Sequence, residues 1–266
     1  MRTKLLFLSL SCLLATFAGC GNGASMSTFA TIIDESERKA GDRMVLTIND
    51  VEYAFRWCPP GTFMMGSPES ERGRRYNEPH HQVTLPRGFW TLETEVTQAM
   101  WTSVMGDNPS RFIGANFPVE QVSWHNCQEY IGKLNELLAG TPGAPADFQF
   151  SLPTDVQWEY ACRAGTTTAF HFGNTLTSEQ ANFGRNVGQT TAVRSYPANA
   201  WGLYDMHGNV WEWCLDFCGD QATYRMLRGG SWLPDADVCR SALRHRHAPT
   251  IRDSRLGFRL VLVHTE

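Results

Sequence analysis

From Gly165 to the C-terminus the chain carries no apolar repeat of helical period, and Gly, Asn and turn dipeptides punctuate it throughout. Such a stretch orders only as short strands and long loops gathered round large buried anchors, because loop backbone brings no hydrogen-bond ladder of its own. The anchors are present: nine Trp in 266 residues, beside 23 Gly and 13 Pro. Aromatics at 12% argue against disorder, and this much Gly and Pro argues against a helical bundle or coiled coil. A closing strand is expected over Phe258 to Val263. The net charge is −4, so no basic field points to nucleic acid, and nucleic-acid binding is excluded.

The helices belong to the first half. After Ser123, the residues Cys127, Tyr130, Ile131, Leu134, Leu137 and Leu138 follow amphipathic spacing, and Gly140 stops the run. Thr154 is a candidate N-cap for a second helix that Gly165 ends. A third helix follows Glu95-Val96-Thr97 and ends at Gly106. Strand-like runs at Met44 to Ile48 and Val51 to Trp57 flank Asn49-Asp50, the signature of a tight hairpin. No linker and no internal repeat interrupts the chain from there onward. One α+β domain, irregular and loop-rich, is expected over 43–266.

The N-terminus is an address. Arg2 and Lys4 precede an apolar run from Leu5 to Phe17, too short for a span that needs roughly 20 apolar residues. The run ends in Phe17-Ala18-Gly19-Cys20, which resembles a bacterial lipobox. That resemblance makes 1–19 a signal peptide, Cys20 the lipidated N-terminus and 20–42 a flexible tether, with the domain held at the cell envelope and facing the periplasm or the outside. Ordinary secretion with cleavage near Ala18 is the alternative. Six cysteines remain (58, 127, 162, 214, 218 and 239), and an even number in an oxidising compartment predicts one to three disulfides of unspecified pairing. Cys214 and Cys218 have CxxxC spacing, a weak zinc signal read as a disulfide or two buried thiols.

Six segments in order resemble the formylglycine-generating enzymes, the sulfatase-modifying factors. They are PGTFMMGS at 60–67, EVT at 95–97, FPV through VSW at 117–124, LPT through WEYA at 152–161, GLYDMHGNVWEW at 202–213, and RGGSW at 228–232 closed by LGFR at 256–259. The resemblance spans about 52–263 and implies a loop-rich variant of the C-type-lectin-like fold. In the matching loop the family binds calcium, a cation that takes 6–8 oxygens. Carried over, the calcium ligands would be the side chains of Asp205 and Glu212 with the carbonyls of Gly208 and Val210. The competing reading makes Trp211 and Trp213 core residues and pairs Glu212 with an Arg. A second family calcium site begins near Ala181-Asn182-Phe183, but its carboxylate-bearing insertion is shortened here.

The family's chemistry needs two cysteines five apart after GGS, which hold Cu(I) as thiolates while the substrate's own Cys is oxidised to an aldehyde. Here Cys239 matches the second and Pro234 stands where the first belongs. Proline has no ligand atom. The resemblance therefore implies a non-standard, binding or accessory member. The alternative is an active sulfatase maturase working through Cys239, with Ser231 in its pocket and copper as its cofactor. Cys239 otherwise reads as a buried thiol or half a disulfide. His245 and His247 have even offsets from it, so an uninterrupted strand would put all three on one face. His80-His81 lies in a polar loop and reads as solvated.

Eight Arg lie between Arg225 and Arg259 against three Asp. Arg forks suit carboxylates and sulfates, so an acidic peptide or an anionic glycan is one candidate partner and a sulfatase-like protein another. The competing reading has these Arg knitting loops through backbone carbonyls and salt bridges. A monomer is expected.

Overall fold

The computed structural model describes residues 37–140, 147–218 and 223–265. The expected signal peptide (1–19), Cys20 and most of the expected tether lie outside the described residues. No helix among those described is long and apolar enough to cross a membrane.

Strands β1 (Arg43–Ile48) and β2 (Val51–Cys58) form the expected hairpin. Asn49 and Asp50 both take positive φ, 48° and 62°, the left-handed pair that matches the twist of the flanking strands. The segment before β1 is seated on the domain, with Gly41 N–H donating to the Trp57 carbonyl at 2.9 Å. Strand β3 (Gly61–Met65) pairs with β4 (His81–Leu85) in a separate ribbon. Strand β5 (Phe89–Leu92) returns to β2.

Three helices follow, each with the cap its sequence offers. Helix α1 (Gln98–Met105) starts at Thr97 and ends at Gly106. Helix α2 (Trp124–Ala139) carries a capping box from Ser123 and Asn126, and buries Cys127, Tyr130, Ile131, Leu134 and Leu138. Strand β6 (Phe148–Ser151) leads into α3 (Asp155–Arg163), capped by Thr154 and Gln157. The C-cap of α3 is Ala164 at φ 44°, one residue earlier than the expected Gly165. An Ala in the left-handed region costs about 1 kcal/mol, and the Ala164 N–H recovers the Tyr160 carbonyl as a partner.

Among the described residues after α3 there are only strands, loops and one 3-10 turn at Ala236–Val238, as the lost helical period predicts. Strands β7 (Trp211–Phe217), β8 (Arg225–Arg228) and β9 (His245–His247) form an antiparallel sheet, and β10 (Leu256–Gly257) adds to β7 in parallel. The last strand, β11 (Val261–His264), begins three residues later than expected. It pairs antiparallel with β5 and β6, so the first sheet runs β1-β2-β5-β11-β6 and draws the two ends of the domain together.

The main core lies between this sheet, α1, α2 and β7. Trp101 stacks on Tyr130 at 5.3 Å and 6°, with the Phe258 ring edge-on to both. The motif tryptophans are scaffold: their indole N–H groups staple distant loops. Trp124 donates to the Cys214 carbonyl, Trp213 to Val122 and Trp232 to Ser254, all at 3.0–3.1 Å.

The expected disulfides do not form: all six cysteines are free, five buried and Cys218 half-buried. They are dispersed among the core clusters as small apolar residues, which is how free Cys packs.

The arginines of the C-terminal stretch largely knit loops, as the competing reading held. Arg228 is fully buried, paired with Asp155 and Glu159, and donates to the carbonyls of Ser241 and Leu243. Arg240 joins Glu71 and Glu78 at 2.6 and 2.8 Å. Arg244 pairs with Asp155 and Arg255 with Asp253.

Candidate functional site

The loop 202–210 is built from backbone that favours small residues. Gly202, Asp205, Gly208 and Asn209 all take positive φ. At Gly208 a Cβ would stand 2.1 Å from the Asn182 carbonyl oxygen, so only Gly permits the approach. Asn209 is the hub of the contact. Its Oδ1 accepts from Thr191 N–H at 3.0 Å and its Nδ2 donates to Glu95 Oε2 at 3.2 Å. Asn182 from the shortened segment buttresses it, with 3.3 Å between Asn182 Nδ2 and Asn209 Oδ1.

Of the four expected calcium ligands, Glu212 is otherwise engaged. Arg259 holds it bidentately, Nε to Oε2 and Nη2 to Oε1, each at 2.7 Å, and Trp158 Nε1 adds a third bond at 2.6 Å. All three side chains are fully buried or within 1% of it. The competing reading of Glu212 as an Arg partner is the observed one. Val210 packs into the core and Gly208 N–H donates to the Gly229 carbonyl.

Of the two expected side-chain ligands Asp205 remains, and it has a neighbour that sequence reasoning missed. Its Oδ2 accepts from Arg194 N–H at 2.8 Å, while its Oδ1 is buried without a hydrogen-bond partner. Glu95 is also fully buried, with Oε1 unpartnered. Burial first, then Asp205 and Glu212 nearby, push the Glu95 carboxyl well above its ordinary range. Burial likewise pushes Asp205 up to about 6, offset in part by the Arg194 N–H and Arg259. Three buried carboxylates thus share one buried guanidinium. Two orphaned carboxylate oxygens and excess negative charge are what a hard cation neutralises. Asp205 and Glu95 are the side chains here that could hold such a cation. No three His, Cys, Asp or Glu side chains cluster as a metal site among the described residues. Glu95 precedes the EVT motif's helix and lies 114 residues from Asn209, so nothing local in the sequence announced the meeting.

The copper residues do not fit copper. Pro234 lies on a cleft floor, and Cys239 follows a single 3-10 turn at Ala236–Val238. The Cys239 side chain is fully buried against Ala169 and Phe170. Burial pushes its thiol up to about 12, and the N–H groups of Ser231 and Gly208 offset only part of this. Ser231 is buried, with its Oγ unpartnered. A thiol in this setting is neither a ready thiolate nor a nucleophile. The chain from Cys239 to His247 is not one strand, and His245 packs on Trp211 with 5.0 Å between ring centroids, so the shared-face histidine set is not assembled. His80 and His81 are exposed, as expected.

A second missed residue is His207, inside the GLYDMHGN run. It is buried, its Nδ1 donates to the Cys239 carbonyl at 2.7 Å, and its Nε2 accepts from His171 N–H at 3.1 Å. Burial, followed by the His171 charge, pushes it well below the ordinary His range. It is a neutral strut that fixes the Cys239 backbone.

Two clefts flank the 236–238 turn. One, about 620 Å³, has Leu233, Pro234 and Val238 on its floor and Arg75, Arg185 and Arg255 around it. The other, about 640 Å³, is bordered by Glu71, Arg72, Phe170 and Arg240. Cys239 lines neither.

Small sheets, three short helices and long loops pinned by buried arginines and a Gly-Asn core loop define the loop-rich formylglycine-generating-enzyme variant of the C-type-lectin-like fold. The chain belongs to that family: residues 51–263 match the sulfatase-modifying factor enzyme 1-like domain. It is 36% identical over 163 residues to the serine/threonine-protein kinase pkn1 of Chlamydia caviae, covering 54% of this chain but only 24% of the kinase. The match therefore spans about a quarter of that relative's length. The formylglycine-generating enzyme of Mus musculus is 29% identical over 216 residues, covering 69% of this chain and 54% of the enzyme. Among solved structures, Treponema denticola variable protein 1 superimposes with a TM-score of 0.74 at 30% identity, covering 82% of this chain and 98% of that one.

Proposed function

We propose that this protein is a lipid-anchored envelope protein whose domain binds a partner instead of oxidising a cysteine. The carrying observation is the pair Pro234 and Cys239. One copper position has no ligand atom, and the other holds a buried thiol raised to about 12. Cu(I) is soft and needs two or three thiolates, which this arrangement does not offer. The family includes members named as formylglycine-generating enzymes and others, such as pkn1, that carry different names. Catalytic identity is thus a property of the site and not of the fold.

Calcium in this reading is structural. Asp205 and Glu95 would hold it, and its charge would neutralise the buried acids beneath the loop. Cys20 would carry the lipid, placing the domain at the membrane surface through a short tether.

Titration of the purified protein with Cu(I) against a colorimetric chelator tests the reading. No thiolate-linked copper retained by the protein is expected. Stoichiometric copper that disappears on Cys239→Ser would restore the maturase alternative.

A further inference from the structure

We infer that the cleft over Pro234 binds an acidic peptide segment of a partner protein through Arg75, Arg185 and Arg255. This rests on the binding-module reading and names the ligand of that site. The cleft's volume of about 620 Å³ falls within the range of ligand sites. Its three guanidinium groups come from separate parts of the chain: the β3–β4 connection, the 184–188 loop and the residue before β10. Only Arg255 has a carboxylate partner, Asp253, which takes its Nε and Nη2. Arg75 and Arg185 are exposed and pair with no carboxylate among the described residues. Asp235 is the one acid in the lining. The two guanidinium groups without a carboxylate partner, Arg75 and Arg185, face one hollow and repel until an anion offsets them. The same field acts on His245 in the cleft wall, which burial, His247, Arg75, Arg255 and Arg246 together hold below the ordinary His range.

The backbone under Arg185 is fixed. Its φ is 62°, in the left-handed region, and its N–H donates to the Trp232 carbonyl at 2.8 Å. The neighbouring Gly184 N–H donates to the carbonyl of Pro234 at 2.8 Å. The residue that replaces a copper ligand therefore anchors the loop that presents an arginine to the cleft.

The floor decides between peptide and glycan. Leu233, Pro234 and Val238 are half-buried aliphatic residues that suit apolar side chains alternating with carboxylates. Trp211 is 7% exposed and packs against His245, so no open aromatic face is left to receive a sugar ring. Arg forks bind carboxylates bidentately.

The experiment is fluorescence anisotropy of the purified protein with a labelled peptide of alternating aspartate and leucine. An asparagine–leucine peptide of equal length serves as the control. The acidic peptide is expected to bind and the neutral one not. Arg75→Gln and Arg185→Gln should each weaken binding about tenfold, the scale of one charged hydrogen-bonded contact. Arg72→Gln, in the cleft across the turn, should leave it unchanged. Equal binding of the two peptides, or binding unaffected by the double Arg75→Gln/Arg185→Gln variant, overturns the inference. So does arginine-dependent binding of a sulfated oligosaccharide with no peptide binding. Copper titration of the same preparation separates the failures. Retained copper overturns the binding-module reading, whereas neither copper nor peptide binding overturns this inference alone.

Discussion

The backbone of Gly230 lies against the sulfur of Cys239. A Cβ at position 230 would stand 2.4 Å from Sγ and 3.0 Å from the Cys239 Cα, and φ at Gly230 is 79°. The second glycine of the RGGSW motif is thus the lid that seals the thiol into the core. Gly230→Ala meets both a clash and the left-handed region, and a loss of about 2–4 kcal/mol is expected. Urea unfolding of the purified domain measures it, and a loss below 1 kcal/mol would mean that Cys239 is free to move aside.

The acid pair Glu95 and Asp205 makes stability depend on pH and calcium together. Asp205 rises from an ordinary 3.8 to about 6 on folding. Between those values the native state holds more protons than the unfolded state, so stability of the calcium-free protein falls as pH rises, by about 3 kcal/mol from this group. Glu95, also raised, extends the fall to higher pH. Calcium would replace those protons. The calcium-free melting temperature is therefore expected to be higher at pH 5 than at pH 7.5. Millimolar calcium should raise it at pH 7.5 and hardly at pH 5, and Asp205→Ala should abolish the response. A melting temperature indifferent to calcium at both pH values removes the cation from the account.

Arg259 and Glu212 form a fully buried, bidentate pair. Removing one partner strands the other charge, so Arg259→Met should cost about 3–5 kcal/mol. Combining it with Glu212→Gln should return part of that loss. Denaturant midpoints of the single and double variants give the coupling directly, and a single-variant loss under 1 kcal/mol would show that Glu212 has another partner.

The cysteines predict a labelling pattern. All six are unbridged, and Cys218 alone is half-buried. A reducing agent should leave the melting temperature unchanged. Native protein starting beyond Cys20 should take one maleimide, at Cys218, and six after denaturation. A shift in melting temperature on reduction would reveal a disulfide.

The parts that were legible in the sequence are those with local physical causes. Thr97, Ser123 and Thr154 cap their helices through side chains three residues from the backbone they satisfy. Asn49 and Asp50 make their turn by local backbone conformation, both at positive φ, and Asn49 Nδ2 adds a bond to the Ser103 carbonyl at 2.9 Å. The Pro234 substitution was also visible, because a missing ligand atom needs no geometry. What escaped depends on distant partners. Glu95 meets the core loop across 114 residues, and β11 closes the first sheet against β5 and β6, strands more than 100 residues earlier in the chain. The even cysteine count misled because parity says nothing of separation. The basic stretch follows the loop-knitting reading, since Arg228, Arg240 and Arg259 are buried wiring, while Arg75 and Arg185 in the cleft lie outside that stretch.

The most direct test of the central claim is mass spectrometry of a Cys-x-Pro-x-Arg peptide incubated with the purified protein, Cu(I), oxygen and a thiol reductant. Unmodified cysteine after many hours is the predicted result. Conversion to the aldehyde, lost in Cys239→Ser, would contradict it and make the protein a maturase.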